Sequence, residues 1–106
     1  MKHWNIKVQG KVQGVFFRAS TKAVADQLKV KGFVMNEPDG SVYIEAEGDV
    51  FALESLIDFC QEGPEHAEVV HVEYEESDEI KGFRNFEVVK KIKSSASGRT
   101  MRSPLM

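Results

Sequence analysis

The chain has 106 residues, of which 42% are hydrophobic and 29% charged, and a formal net charge of −3. This size and composition suit one soluble globular domain with a single core, and they exclude a disordered or membrane-embedded chain. The acidic balance disfavours broad binding to nucleic acid, so an anionic ligand needs a local capture device rather than the overall field.

The start, MKHWNIKVQG, has no apolar stretch of the kind a signal peptide carries, and none is expected. From His3 to Gln9 polar and apolar residues alternate. Trp4, Ile6 and Val8 point one way and Asn5 and Lys7 the other, the period of a half-buried strand. After the Gly10–Gly14 stretch a helix is predicted, with Ala23, Val24 and Leu28 on one face and Lys22, Asp26 and Lys29 opposite, ending near Gly32. Phe33-Val34-Met35 reads as a short strand, and Glu37-Pro38-Asp39-Gly40 as a turn. Beyond it Val42, Ile44 and Ala46 alternate with Tyr43, Glu45 and Glu47, as a hairpin partner should.

Gly48-Asp49 opens a second helix with Val50, Leu53, Leu56, Ile57 and Cys60 on its apolar side, and Gly63-Pro64 stops it. Val70, Val72 and Tyr74 mark a fourth strand, Phe86 with Val88 a fifth. The order is β-α-β-β-α-β with a final strand whose pairing the pattern leaves open. It predicts an α/β (α+β) fold: a ferredoxin-like βαββαβ two-layer sandwich, with an antiparallel sheet and two helices on one face. The domain is expected to span residues 1–93. SSASGRTMRSPLM, at the end, lacks periodicity and aromatic anchors, so residues 94–106 read as a flexible tail.

Most catalytic patterns are missing. His66 and His71 do not have metal-ligand spacing, and lone strand histidines are expected to face solvent. Gly10-Lys11-Val12 is no P-loop, there is no nucleophile elbow, and Glu75-Glu76 reads as solvated charge. The single cysteine, Cys60, reads as a buried thiol in a reducing compartment, the cytoplasm.

One stretch, VQGKVQGVFFRAS at residues 8–20, invites a closer reading. Gln13-Gly14-Val15-Phe16-Phe17-Arg18 lies between a strand and a helix N-terminus. Glycine there lets successive N–H groups converge into an anion nest, the helix start adds unpaired donors, and Arg18 adds a planar charged fork. The plainer alternative is a glycine turn with Val15 and Phe16 or Phe17 in the core and Arg18 beside a surface carboxylate. Spacing alone favours the plainer one, because short motifs often match by chance.

The residues themselves go further. GKVQGVFFRAS followed by KGFVMNEPDGSVYIEAEGD resembles the acylphosphatase family, whose signatures are G-x-V-Q-G-V-x-[FY]-R and G-x-V-x-N-x-x-D-G-x-V. Gly10 to Arg18 fits the first at every fixed position and Gly32 to Val42 fits the second, and the resemblance extends over residues 3 to 92. It implies a stand-alone enzyme hydrolysing acyl phosphates to a carboxylate and inorganic phosphate without metal or other cofactor. It implies that Arg18 holds the phosphate within the backbone amides of Gln13, Gly14, Val15, Phe16, Phe17 and Arg18, and that Asn36 positions the attacking water. It also implies a monomer, with no nucleic-acid or membrane partner.

The implied chemistry explains the missing acids and bases. An acyl phosphate releases a carboxylate, a group with a pKa of about 4, so no general acid is needed at neutral pH. Asn36 is not basic, and its effect on water is positional. Aromatic residues Phe16, Phe17 and Tyr43 are expected to serve packing and loop support.

Two rival readings stand beside this one. KGFRNFEVV at 81–89 faintly echoes an RNA-recognition signature, but Arg84 and Asn85 occupy positions where that motif needs a small residue and an aromatic, and the chain is acidic. A non-catalytic module binding carbamoyl phosphate or a similar small phosphate is the stronger rival, since acylphosphatase-like domains also occur within larger proteins that mature metal sites. Retention of both Arg18 and Asn36 favours hydrolysis.

Overall fold

A computed structural model describes residues 1–90; the expected tail, 94–106, lies outside the described residues. The order is β1 (Lys2–Lys11), α1 (Phe17–Leu28), β2 (Lys31–Asn36), β3 (Val42–Gly48), α2 (Val50–Glu62), β4 (Glu68–Ser77) and β5 (Phe86–Val89). The strands lie in the order β4-β1-β3-β2-β5, antiparallel from β4 to β2. The final strand, whose pairing periodicity left open, joins the edge parallel to β2, with Gly32 opposite Phe86 and Val34 opposite Val88. The ferredoxin-like sandwich is therefore present, with a mixed sheet in place of a purely antiparallel one.

Period two works as expected in β1 and β3. Ile6, Val8, Val42 and Ile44 are buried, facing Leu53, Leu56 and Cys60 from α2 and Phe17 and Ala25 from α1. Truncating such a core leucine typically costs about 2–5 kcal/mol. Asp49 starts α2 by accepting the Ala52 amide at 2.8 Å, and the Gly63 amide closes it on the Phe59 carbonyl. Val50 is 38% exposed, and Ala52 takes its place in the buried stripe.

Three expectations about α1 and β4 need correction. The buried stripe of α1 is Phe17, Thr21 and Ala25, spaced four apart, with Val24 and Leu28 half-buried; Ala23 is exposed. Two residues from both Thr21 and Ala25, Ala23 is turned about 200° away from them. The helix ends at Leu28, well before Gly32. Lys29 adopts a left-handed conformation with φ 61°, and the Val30 amide reaches back to the Ala25 carbonyl. Gly32 instead lies inside β2, where a Cβ would collide with the carbonyl oxygen of Glu45 on β3. In β4, Val70 is 80% exposed. The register with β1 slips between Gln9 and Gly10, so His71 faces Gln9 while Val69 faces Gly10. The bulge at Val70 breaks the alternation, and Val69 and Val72 become the residues packed on the core.

The sheet face away from the helices is also occupied. His3, expected to face solvent, is buried. Its Nδ1 lies 2.7 Å from Glu47 Oε2, and its Nε2 lies 3.2 Å from Glu45 and 3.1 Å from Asn5 Oδ1. Glu47 also accepts the amides of Lys81, Gly82 and Phe83, and the Phe83 ring stacks on His3. Burial alone would raise the Glu47 pKa; the hydrogen bonds from His3 and these three amides outweigh it and hold the carboxyl below its usual value.

Candidate active site

The site begins where β1 hands over to α1. Gly14 has φ 73° with open space around its α-carbon, and Phe16 is also left-handed, φ 64° and ψ 20°. Two left-handed residues so close together curl the chain tightly into the helix start, the kind of backbone that forms anion-binding nests. The first helical bond is Ser20 N–H to the Phe16 carbonyl, so the amides of Phe17, Arg18 and Ala19 have no partner within the helix. This is a cradle of donors at the positive end of a helix dipole. Phe16 stands at the cap position without a side-chain cap bond, in a conformation that costs a bulky residue on the order of 1 kcal/mol.

The second signature is stitched to the first. Gln13 donates from its amide nitrogen to the carbonyls of Glu37, 2.8 Å, and Ser41, 2.9 Å. Those carbonyls belong to the β2–β3 turn, which the Glu37 amide closes on Ser41. Asp39 accepts both the hydroxyl and the amide of Ser41 and pairs with Lys7 at 3.0 Å, and these contacts hold its carboxyl far below the usual range. The side chain of Gln13, expected to bind substrate, thus binds the hairpin instead, and Gln13 does not line the hollow shared by Gly14, Phe16, Arg18 and Asn36.

The hairpin places Asn36 at the end of β2, on the same concavity as Gly14, Phe16 and Arg18. This hollow is about 280 Å³, and Val12, Ala19 and Val88 supply apolar wall. The Oδ1 atom of Asn36 is buried there with no hydrogen-bond partner. An orphaned buried acceptor costs about 1–3 kcal/mol, which a ligand or water donating to it would relieve. Arg18 enters from the first turn of α1 and donates to the Val89 carbonyl at 3.3 Å.

The structure therefore brings Gly14, Phe16, Phe17, Arg18 and Asn36 to one hollow. It separates the two phenylalanines: Phe17 sends its ring into the core beside Phe59, whereas Phe16 stays 78% exposed. Val15 packs against the core edge. Sequence reading missed Val88 and the Val89 carbonyl, because both depend on the parallel docking of β5, for which periodicity has no signal. A larger hollow of about 560 Å³ lies on the outer sheet face between Lys7, Glu37, Tyr43, Glu73 and Glu75. Its acidic lining repels anions.

Comparison with known proteins agrees with this fold. The acylphosphatase family model matches residues 4–88. An acylphosphatase of Rubrobacter xylanophilus is 48% identical over 87 residues, covering 82% of this chain and 79% of its own. One from Thermotoga petrophila is 47% identical over 88 residues, covering 83% and 97%. The crystal structure of acylphosphatase from Bacillus subtilis superposes with a TM-score of 0.82 at 37% identity, over 84% of this chain and 99% of that one. Both signatures, the sandwich that brings them together and the match along nearly all the described residues agree: this chain belongs to the acylphosphatase family.

Proposed function

We propose that Arg18 and Asn36 carry out the reaction of this enzyme, the hydrolysis of an acyl phosphate to a carboxylate and inorganic phosphate. The phosphoryl group sits in the amide cradle of residues 14–19. Arg18 leaves or shares the Val89 carbonyl to place its fork on the phosphate oxygens. A water donates one hydrogen to Asn36 Oδ1, which turns an oxygen lone pair toward phosphorus opposite the acyl oxygen. As the water oxygen bonds to phosphorus, the bond from phosphorus to the acyl oxygen breaks and its electron pair leaves with the carboxylate. Both water protons end on phosphate oxygens, so an acyl phosphate dianion and water yield a carboxylate and dihydrogen phosphate. The cradle and Arg18 stabilise the charge on the transferring group.

The observation that carries this reading is the convergence on one small hollow of an arginine, unpaired helix-start amides and an orphaned asparagine oxygen. The leaving carboxylate needs no proton and Arg18 supplies the positive charge, which supports a metal-independent reaction. The buried Cys60, its thiol pushed up to about 12 by burial, supports a reducing, cytoplasmic setting, and the enzyme is proposed to act as a monomer. Among the described residues no helix is long and apolar enough to cross a membrane.

The test is phosphate release from benzoyl phosphate in EDTA by wild type, Arg18→Ala and Asn36→Ala. Turnover that collapses in both folded variants is the expected result. A folded wild type that binds inorganic phosphate without turnover would convert the reading to a non-catalytic phosphate binder.

A further inference from the structure

Phe16 is anomalous on three counts. It holds a left-handed backbone that glycine or asparagine would adopt at less cost, it sits at a helix cap without capping, and its apolar ring is 78% exposed. Its neighbour Phe17 absorbs the local packing, so the core does not explain Phe16. A strained residue at a ligand cradle points toward a role in binding. Phe16 lines the hollow that holds Arg18 and Asn36, where Val12, Ala19 and Val88 continue the apolar wall.

A phosphoryl group anchored on the amides and Arg18 has only one way to project its acyl group, out through the open side of the hollow. With water approaching from the Asn36 side and the acyl oxygen in line opposite, the acyl substituent leaves past the rim. We propose, resting on the hydrolytic reading above, that Phe16 is a specificity-determining residue whose ring covers the acyl substituent. The substrate class is then acyl phosphates with an aromatic or extended apolar acyl group, in preference to acetyl phosphate. The left-handed backbone is what turns the ring toward that exit instead of into the core beside Phe17.

The test compares kcat/KM for benzoyl and acetyl phosphate in wild type, Phe16→Ala and Phe16→Tyr, with inhibition by inorganic phosphate measured for each. Wild type should prefer benzoyl phosphate. In Phe16→Ala that preference should shrink by about tenfold, the ratio expected from losing one aromatic contact, and Phe16→Tyr should restore it. Equal turnover of the two substrates by wild type would overturn the proposal, as would a Phe16→Ala variant in which both substrates and phosphate affinity fall together. Absence of turnover on either substrate is a different failure, that of the hydrolytic reading itself.

Discussion

The cradle at residues 14–19 and the cluster around His3 and Glu47 are both polar constructions on the same sheet, but they use opposite design. In the cluster every group faces a partner: two carboxylates, an imidazole, an asparagine and three amides close on one another beneath Phe83. In the cradle helix-start amides lack helical partners, Asn36 Oδ1 is orphaned and Phe16 is strained. Between these two regions, satisfaction goes with holding the fold and orphaned groups with an open hollow, although the core residue Trp4 also buries an unpartnered Nε1.

The largest expected effect lies in the cradle. Arg18→Ala should lower kcat/KM by about 10³-fold while thermal unfolding hardly changes. A variant that unfolds instead would place Arg18 among the structural groups and break the contrast. Next is the cluster, where Glu47→Gln removes the charge on which His3 and three amides converge. A loss of about 3 kcal/mol is expected in denaturant unfolding, with turnover retained while the protein stays folded. The pH dependence adds a sign. Because Glu47 is held below its usual value when folded, its contribution is complete above the ordinary value near 4.5 and fades as pH falls through the lower folded one. Wild type and Glu47→Gln should therefore converge in stability in acid.

Gln13→Ala tests the seam between structure and chemistry. Loss of its two bonds to the hairpin should cost about 2 kcal/mol and, by loosening Asn36 relative to Arg18, about tenfold in kcat. A purely structural Gln13 would lower stability and leave kcat alone. Smallest is Asp49→Ala, the cap of α2, which should cost about 1 kcal/mol in stability with no change in either kinetic constant.

How much of this was legible depended on whether a signal was local. The alternation of β1 and β3, the Asp49 cap and the turn at Asp39 are short-range, and they read correctly. Arg18 and Asn36 came as candidates from two motifs, because no periodicity distinguishes a site asparagine from a turn residue. The buried His3 was unreadable: it and its partners occupy positions that alternation assigns to solvent, and only the return of Lys81–Phe83 across that face encloses them. Phe16 and Phe17 are adjacent and identical in kind, yet Phe17 opens the helix and packs inward while Phe16, left-handed at the cap, stays exposed. The Val70 bulge was equally silent, since it arises from pairing with β1.

The side chain of Gln13 also sets a rule for transplantation. Because it ties the strand-to-helix loop directly to the β2–β3 turn, those two segments are joined by side-chain bonds as well as through the sheet. A designer moving this site to another sandwich would need to carry residues 12–19 and 36–42 together. On the proposed reading, the loop alone would arrive able to grip phosphate, with nothing to tell water where to stand.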